Sequence, residues 1–132
     1  MENKGLSSWI RQARYRASKK EIYNDLSIED VKEIIKQCDG KCAYCDKSKK
    51  CWGGEANALD HPFPLSKLTP NIPANILPVC KDIKKAKKNT DLAYMFITGI
   101  ISKDTYLRCL KIMFSNRGSD YIKKHVKRIT GI

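Results

Sequence analysis

The sequence predicts a small α+β fold in which helices flank a short unit of two strands and a helix. Apolar residues recur at helical spacing towards both ends of the chain. Two short apolar runs near the middle are separated by a loop that contains four prolines. Six cysteines, two of them spaced Cys-x-x-Cys, indicate that a metal ion helps to stabilise so short a chain.

The length of 132 residues predicts a single domain, residues 1–132, built in three parts. Residues 1–39 form the N-terminal helices, residues 40–90 the core, and residues 91–132 a C-terminal helical extension. The net charge of +12 indicates a polyanionic partner, most often nucleic acid. The alternative is a solvated, lysine-rich surface without such a partner.

The N-terminal segment and the longest apolar run indicate where in the cell the protein is located. The polar N-terminus lacks the apolar segment of a signal peptide, and the longest apolar run, residues 93–101, is too short to span a bilayer. We therefore expect a soluble, cytoplasmic protein with no membrane partner. The sequence leaves open whether it is a monomer or a homodimer.

Two helices are predicted before the core. The first covers residues 9–17 and is basic. The second begins after Ser27, a plausible N-cap, with Asp30 three residues further on, close to a capping box. Apolar residues continue at helical spacing as far as Ile35, and Gly40 marks the end of this helix.

The core is predicted as a turn-rich knuckle, two strands and a helix. The knuckle covers residues 41–54, the first strand 56–60 and the second 76–79. The prolines between the strands exclude regular structure, and a long loop of this kind in a small domain is often functional. Residues 80–89 are predicted to form a short, very basic helix.

The C-terminal part is predicted to be helical throughout. One helix covers residues 92–100, and Ser102 caps the next. The segment Asn116-Arg117-Gly118 interrupts the helical pattern, and residues 119–129 form a last basic helix.

Cys42 and Cys45 have the spacing of a zinc knuckle. Two thiolates placed in this way reach one tetrahedral ion from a tight turn. Cysteines of a cytosolic chain are more often metal ligands or thiols than disulfides. A thioredoxin-like redox pair is one alternative, although no βαβ pattern surrounds it, and buried thiols without zinc are another.

Residues 40–90 resemble the HNH, or ββα-metal, endonuclease family. The motifs that carry the resemblance are Asp60-His61-x-x-Pro64-Leu65-Ser66, Asn75-x-Leu77-x-Val79-Cys80 and Lys84-Lys85-Ala86-Lys87. Residues 13–17 and 26–45 are also similar to the small HNH proteins of phage genomes. If the protein is phage-encoded, its location is the cytoplasm of the host cell.

The resemblance implies a ββα-metal core with a structural zinc ion, and an endonuclease that hydrolyses DNA with a catalytic Mg²⁺ or Mn²⁺. His61 would be the general base, because a neutral imidazole with a pKa of about 6.5 accepts a proton from water at pH 7. Asp60 would bind the divalent ion that stabilises the leaving alkoxide. By the family's pattern, Asn75 is structural and orients the loop that carries His61. The alternatives are that His61 is a loop-ordering or surface histidine, that Asp60 is a cap or turn residue, and that Asn75 is an ordinary turn residue.

One departure from the family's pattern concerns zinc. A second Cys-x-x-Cys is expected, but Ile83 stands where its second cysteine should be, and isoleucine cannot bind zinc. Three ligands remain, namely Cys42, Cys45 and Cys80, whereas a structural zinc site has four. We take Cys51 as the fourth ligand and Cys38 as the alternative.

The other departure concerns catalysis. Lys84 stands where a ligand of the catalytic ion is expected, and a protonated ammonium group has no lone pair. In one hypothesis, Lys84 supplies a fixed positive charge to the phosphate in place of the ion. In another, the site is degenerate and the protein binds DNA or a host protein without cleavage. A third is that the protein is a zinc-knuckle scaffold in a larger assembly.

The predicted partner is duplex or branched DNA, bound with low sequence specificity. Lysines between residues 81 and 88 are expected to contact phosphates, which position a protein without specifying a sequence. Cations of the outer helices would extend the contact surface, namely Arg11, Arg14, Arg16, Lys123, Lys124, Lys127 and Arg128.

Overall fold

A computed structural model describes residues 3–45, 54–67 and 69–130 of the chain. Within these residues, six α-helices and two β-strands follow one another. In chain order they are α1 (Asn3–Lys19), α2 (Ile28–Gln37), β1 (Ala58–Asp60), β2 (Leu77–Val79), α3 (Lys81–Lys87), α4 (Leu92–Ile97), α5 (Lys103–Phe114) and α6 (Ser119–Thr130). None of the described helices combines the length and the apolar character needed to cross a membrane.

The two strands form a small antiparallel sheet. Ala58 lies opposite Val79, and Asp60 lies opposite Leu77. Helix α3 begins two residues after β2 ends, so the chain turns directly from the sheet into the basic helix. Helices together with this sheet confirm the predicted α+β class.

Two predicted helix starts are confirmed by their caps. The Ser27 hydroxyl accepts a hydrogen bond from the Asp30 N–H at 3.2 Å, and the Asp30 carboxylate accepts one from the Ser27 N–H at 3.0 Å. These reciprocal bonds form a capping box, which satisfies backbone donors that the helix leaves without partners. Ser102 caps α5 by accepting a hydrogen bond from the Thr105 N–H at 3.2 Å.

Other boundaries differ from the sequence-based expectation. Helix α1 begins six residues earlier than the predicted residue 9, and α4 ends at Ile97 rather than at residue 100. The proline-rich loop was predicted to lack regular structure, but it contains short 3₁₀ helices at Leu65–Lys67 and Pro73–Asn75. The fixed φ of Pro73 suits the first turn of a helix, so proline begins this element rather than preventing it.

Among the described residues, most buried apolar side chains belong to two clusters, one on each side of the sheet. The larger one packs Leu77 and Val79 against the C-terminal helices. The smaller one packs Leu59 and Ile76 against α1 and α2. Because side chains alternate along a strand, Leu59 holds α1 beside the sheet while the next residue, Asp60, turns away from this cluster. Helix α1 therefore borders the end of β1.

Gly118, the residue before α6, lies so close to the Ile72 side chain that a larger residue would not fit. Its φ is +90°, and a Cβ atom there would lie 2.6 Å from Cδ1 of the buried Ile72. We expect Gly118→Ala to lower the free energy of unfolding by about 2–4 kcal/mol, because a strained backbone and an overpacked contact both add to the cost. Urea denaturation measures this change.

Gly99→Ala is the matched control for this prediction. Gly99 also has a positive φ, +80°, but a Cβ atom there would have no neighbour within 4 Å. Its substitution should cost only the backbone term, about 1 kcal/mol. Equal losses in the two variants would show that the contact with Ile72 is unimportant.

Candidate functional site

His61 follows β1 directly and is buried, with 6% of its surface exposed. Its Nε2 lies 2.9 Å from the Asn71 Oδ1 atom, and the Asn71 amide nitrogen donates to Asn24 at 2.7 Å. With the Asn71 oxygen as acceptor, Nε2 carries the proton and Nδ1 carries the lone pair. The Trp9 ring of α1 stacks on the imidazole, with centroids 5.0 Å apart.

The surroundings of His61 keep its imidazole neutral. The pKa of His61 is lowered to about 3, mainly by burial; the hydrogen bond to Asn71 opposes the shift, and the positive charges of Arg16, Lys84 and Lys87 add to it. At pH 7 the ring therefore has a lone pair on Nδ1, but it is a weaker base than an exposed histidine.

Asp60 lies beside His61 and is also buried. Its Oδ2 accepts a hydrogen bond from the Tyr44 hydroxyl at 2.7 Å and lies 3.1 Å from the Lys87 ammonium. Burial raises the pKa of Tyr44 well above its usual range, so the phenol stays protonated as the donor. The predicted metal ligand is thus engaged by two protein donors.

Lys84 and Lys87 of α3 face β1 from positions three residues apart, a spacing that places both on one side of a helix. The Lys87 side chain is 1% exposed and also donates to the His61 carbonyl oxygen at 3.1 Å. Lys84 is only partly buried and donates to the Leu59 carbonyl oxygen at 2.5 Å. Burial lowers the pKa of Lys84, and the negative charge of Asp60 opposes this shift.

Asn75 braces the loop that follows His61. Its amide oxygen accepts a hydrogen bond from the Phe63 N–H at 3.0 Å. Its amide nitrogen donates to the Phe63 carbonyl at 2.8 Å and to the Pro70 carbonyl at 3.1 Å. One buried side chain therefore joins the two ends of the proline-rich segment and limits the positions that His61 can take.

Asp60, His61 and the two lysines Lys84 and Lys87 border a cleft of about 280 Å³ between α1, the proline-rich loop and α3. The cations that line it come from α1, from the residue that follows α1, and from α3, namely Arg16, Lys20, Lys84 and Lys87. A second groove of about 650 Å³ shares Trp9, Arg16 and Lys84 with the cleft and continues along α1. The connected grooves suit an anion with repeated negative charges.

The sulfur atoms of Cys42, Cys45 and Cys80 all lie within 4.8 Å of one another, and all three residues are buried. The Cys45 and Cys80 sulfurs are 3.7 Å apart. Tetrahedral zinc with Zn–S bonds of about 2.3 Å separates its sulfurs by about 3.8 Å. The Cys80 N–H also donates to the Cys42 sulfur at 3.2 Å. Three buried cysteines are thus positioned to bind a metal ion, and their geometry is compatible with zinc.

A structural zinc site has four ligands, and the described residues supply three of them in this cluster. Cys51, the predicted ligand, lies outside the residues that the structure describes, and Cys38, the alternative, is not part of the three-sulfur group. Ile83 is buried in the apolar core instead. Helix α5 supports the knuckle, because Arg108 donates to the carbonyl oxygen of Ala43 at 2.9 Å.

Several residues of the site were not predicted as site residues from the sequence. Lys87 was part of the motif Lys84-Lys85-Ala86-Lys87 and of the basic helix but was given no role beside Asp60 or His61, although its spacing from Lys84 was a usable signal. Tyr44 stood inside the cysteine motif without a role of its own. Trp9 and Asn71 carried no signal, because they reach His61 only through the tertiary packing of α1 and the loop.

No protein-family model, curated protein or solved structure matches this chain. The resemblance to HNH endonucleases therefore stays a prediction.

The cysteine cluster predicts a bound zinc ion. We expect about one zinc per purified chain, and we expect Cys80→Ser to lose most of it and to melt at a lower temperature, since structural zinc contributes directly to folding. Metal analysis by mass spectrometry and thermal melting measure the two effects. Cys38→Ser is the control and should keep its zinc, whereas loss in Cys51→Ser would identify the fourth ligand. Full zinc in Cys80→Ser would contradict the site.

Burial of neutral His61 links stability to pH. Because its pKa is about 3 in the folded protein and 6.5 ordinarily, the unfolded chain takes up a proton between these values that the folded protein does not. Stability is therefore complete above pH 6.5 and falls as the pH is lowered towards 3, by up to about 1.4 kcal/mol per pH unit. We expect His61→Gln to flatten this part of the profile in thermal melts from pH 7 to pH 4.

His125→Gln is the control for the pH profile. Burial also lowers the pKa of His125, but this residue is only half-buried, so its contribution should be smaller. A His61→Gln profile as steep as that of the wild type would show that His61 is not the group responsible.

Proposed function

We propose that this protein is an HNH-type endonuclease that binds the phosphate backbone of DNA in the cleft and hydrolyses a phosphodiester bond there. The observation that carries the proposal is the convergence of neutral His61 with the cations of Arg16, Lys20 and Lys84 on one cleft. A base beside fixed positive charges is the combination that phosphodiester hydrolysis requires.

The order of the elements supports a ββα-metal core for this protein. Asp60 and His61 stand at the end of β1, a long loop leads to β2, and α3 returns its lysines to the same place. The cysteine cluster lies between the knuckle and the first residue after β2. This arrangement agrees with the resemblance in residues 40–90, on which the family assignment rests.

In the proposed reaction, Nδ1 of His61 accepts a proton from a water molecule as the water oxygen attacks phosphorus. The new P–O bond forms, the bond to the leaving sugar oxygen breaks, and that oxygen takes a proton from solvent. Lys84 and Arg16 balance the charge that develops on the phosphate. The negative charge of the bound phosphate also raises the pKa of His61, which strengthens the base when substrate is present.

The resemblance implies a catalytic Mg²⁺ or Mn²⁺ at Asp60, but the residues present do not fit such an ion. Both ions prefer oxygen ligands that are open to them. Asp60 is held by Lys87 and Tyr44, and Lys84 adds a further positive charge nearby. We therefore assign no step of the reaction to a divalent cation.

A second candidate function is DNA binding without cleavage. It is favoured by the low pKa of His61 together with the Trp9 ring stacked on its imidazole. Such an imidazole is a weak base and is covered on one face, which disfavours catalysis. The cleft is nevertheless suited to hold a phosphate. Both candidates share the cationic grooves, so binding does not separate them and cleavage does. A zinc-knuckle scaffold would require neither activity.

We expect the wild type to relax supercoiled plasmid and His61→Ala to have lost at least about two orders of magnitude in rate, the usual contribution of a general base. Cleavage should occur without added Mg²⁺ or Mn²⁺ and should not rise when either is added, because the proposed reaction uses no catalytic divalent ion. Agarose gels measure the rate, and His125→Ala, which alters the other histidine, is the control. Equal cleavage by wild type and His61→Ala would point to a contaminating nuclease.

Gel retardation at several salt concentrations completes this experiment. Retardation that weakens with salt, without cleavage, would establish the second candidate in place of the first. Arg16→Ala should reduce the salt dependence by about one released counterion, since Arg16 lines both grooves. Absence of both binding and cleavage would favour the scaffold.

A further inference from the structure

Oxygen atoms, the ligand type that a hard cation prefers, stand at the end of β1. Three of them belong to consecutive residues, namely the carbonyls of Leu59 and His61 and the carboxylate of Asp60. Lys84 donates to the first carbonyl at 2.5 Å, and Lys87 donates to the second at 3.1 Å. Lys87 also lies 3.1 Å from the Asp60 carboxylate. Two ammonium groups from one helix thus engage all three residues.

We propose that Lys87 occupies the cation position of this site, so that its ammonium group, held by Asp60, takes the place of a bound divalent ion. This inference deepens the proposed endonuclease function. It depends on that function only for the role of Lys87 in the reaction, and the ion-binding part stands without it. Lys87 is a positioning residue here: it holds Asp60 and the backbone oxygen of His61, and through them it fixes where the imidazole lies.

Burial makes this ammonium group a permanent part of the site. Its side chain is 1% exposed, whereas the neighbouring Lys85 is exposed to solvent. Withdrawing a charge from water is costly unless it is paired and hydrogen-bonded, and Lys87 has both an ion-pair partner and a carbonyl acceptor. Removing it would leave the carboxylate of Asp60 buried with only the Tyr44 hydroxyl as a donor among the bonds described above.

By this proposal, the same contacts would exclude a divalent ion from the site. An ion at Asp60 would have to displace the Lys87 ammonium from the oxygens it contacts. It would also approach the positive charges of Lys84 and Arg16, which lie close enough to lower the pKa of His61. Replacing Lys87 by a shorter residue with an oxygen ligand should remove the competing ammonium group together with its positive charge, while Lys84 and Arg16 remain.

Lys87→Asn tests this inference with Mn²⁺ as the probe. The amide oxygen of asparagine is a ligand that hard cations accept, and the shorter side chain leaves room for the ion and its waters. We expect the variant to bind Mn²⁺ at least about tenfold more tightly than the wild type, because a nearby positive charge is gone. Electron paramagnetic resonance of free Mn²⁺ measures the affinity without any nucleic acid.

Two control variants separate the local effect from a change of net charge. Lys85→Asn removes the same charge from an exposed position of α3 and should leave Mn²⁺ affinity near that of the wild type. Lys87→Asn/Asp60→Asn should lose the gain, since the carboxylate is the proposed ligand. A gain of equal size in Lys85→Asn, or no gain in a folded Lys87→Asn, would overturn the proposal.

A measurement on the wild type keeps the inference testable if Lys87→Asn does not fold. In nuclear magnetic resonance spectra, millimolar Mn²⁺ should leave the amide signals of Asp60 and His61 as intense as those of α5. Selective broadening centred on Asp60 would show that a divalent ion binds despite Lys87. Because neither measurement uses DNA, failure of the endonuclease proposal and failure of this inference are distinguishable.

Discussion

The buried ion pair between Asp60 and Lys87 is the interaction on which the site depends. It joins the last residue of β1 to the last turn of α3, and the same ammonium group also contacts the His61 backbone. A buried charge that loses its partner is strongly destabilising, so the two elements have to meet in this register for the fold to be stable. The chemistry of the cleft is therefore built on a structural requirement of the core.

Helix α1 contributes to the site from outside the strand–helix unit. Its apolar face packs on α2 and on Leu59, and this packing brings Trp9 over the imidazole of His61 and places Arg16 at the cleft. The helix therefore desolvates the histidine and adds positive charge near it at the same time. Both effects lower the pKa of His61, and both would be offset by a bound phosphate, which brings a negative charge into the cleft.

The cysteine cluster and the cleft lie at opposite ends of the same short sheet. Cys80 follows β2 and precedes α3, so a metal ion bound there would fix the start of the helix whose later residues line the cleft. Tyr44, inside the knuckle, extends this connection by donating to Asp60. The knuckle thus supports the site through a hydrogen bond as well as through the backbone.

The local pattern of the sequence determined the α+β class, the position of both strands and most helix boundaries. The Ser27 and Ser102 caps were predictable because capping depends on residues within one helical turn. The grouping of Cys42, Cys45 and Cys80 was also predicted, from motif spacing and the family resemblance. The 3₁₀ turns in the proline-rich loop were missed, since proline both ends and begins helices and the sequence alone did not decide between them.

Tertiary structure alone decided which groups surround Asp60 and His61. The sequence placed Lys84 in the cation's position, whereas the fold brings the ammonium of Lys87 to the carboxylate and directs that of Lys84 to a backbone carbonyl. Asn71 contacts His61 from ten residues further along the chain, and Trp9 contacts it from helix α1. Burial, charge and hydrogen bonding at a site depend on contacts between distant segments, and such contacts leave no periodic signal in the chain.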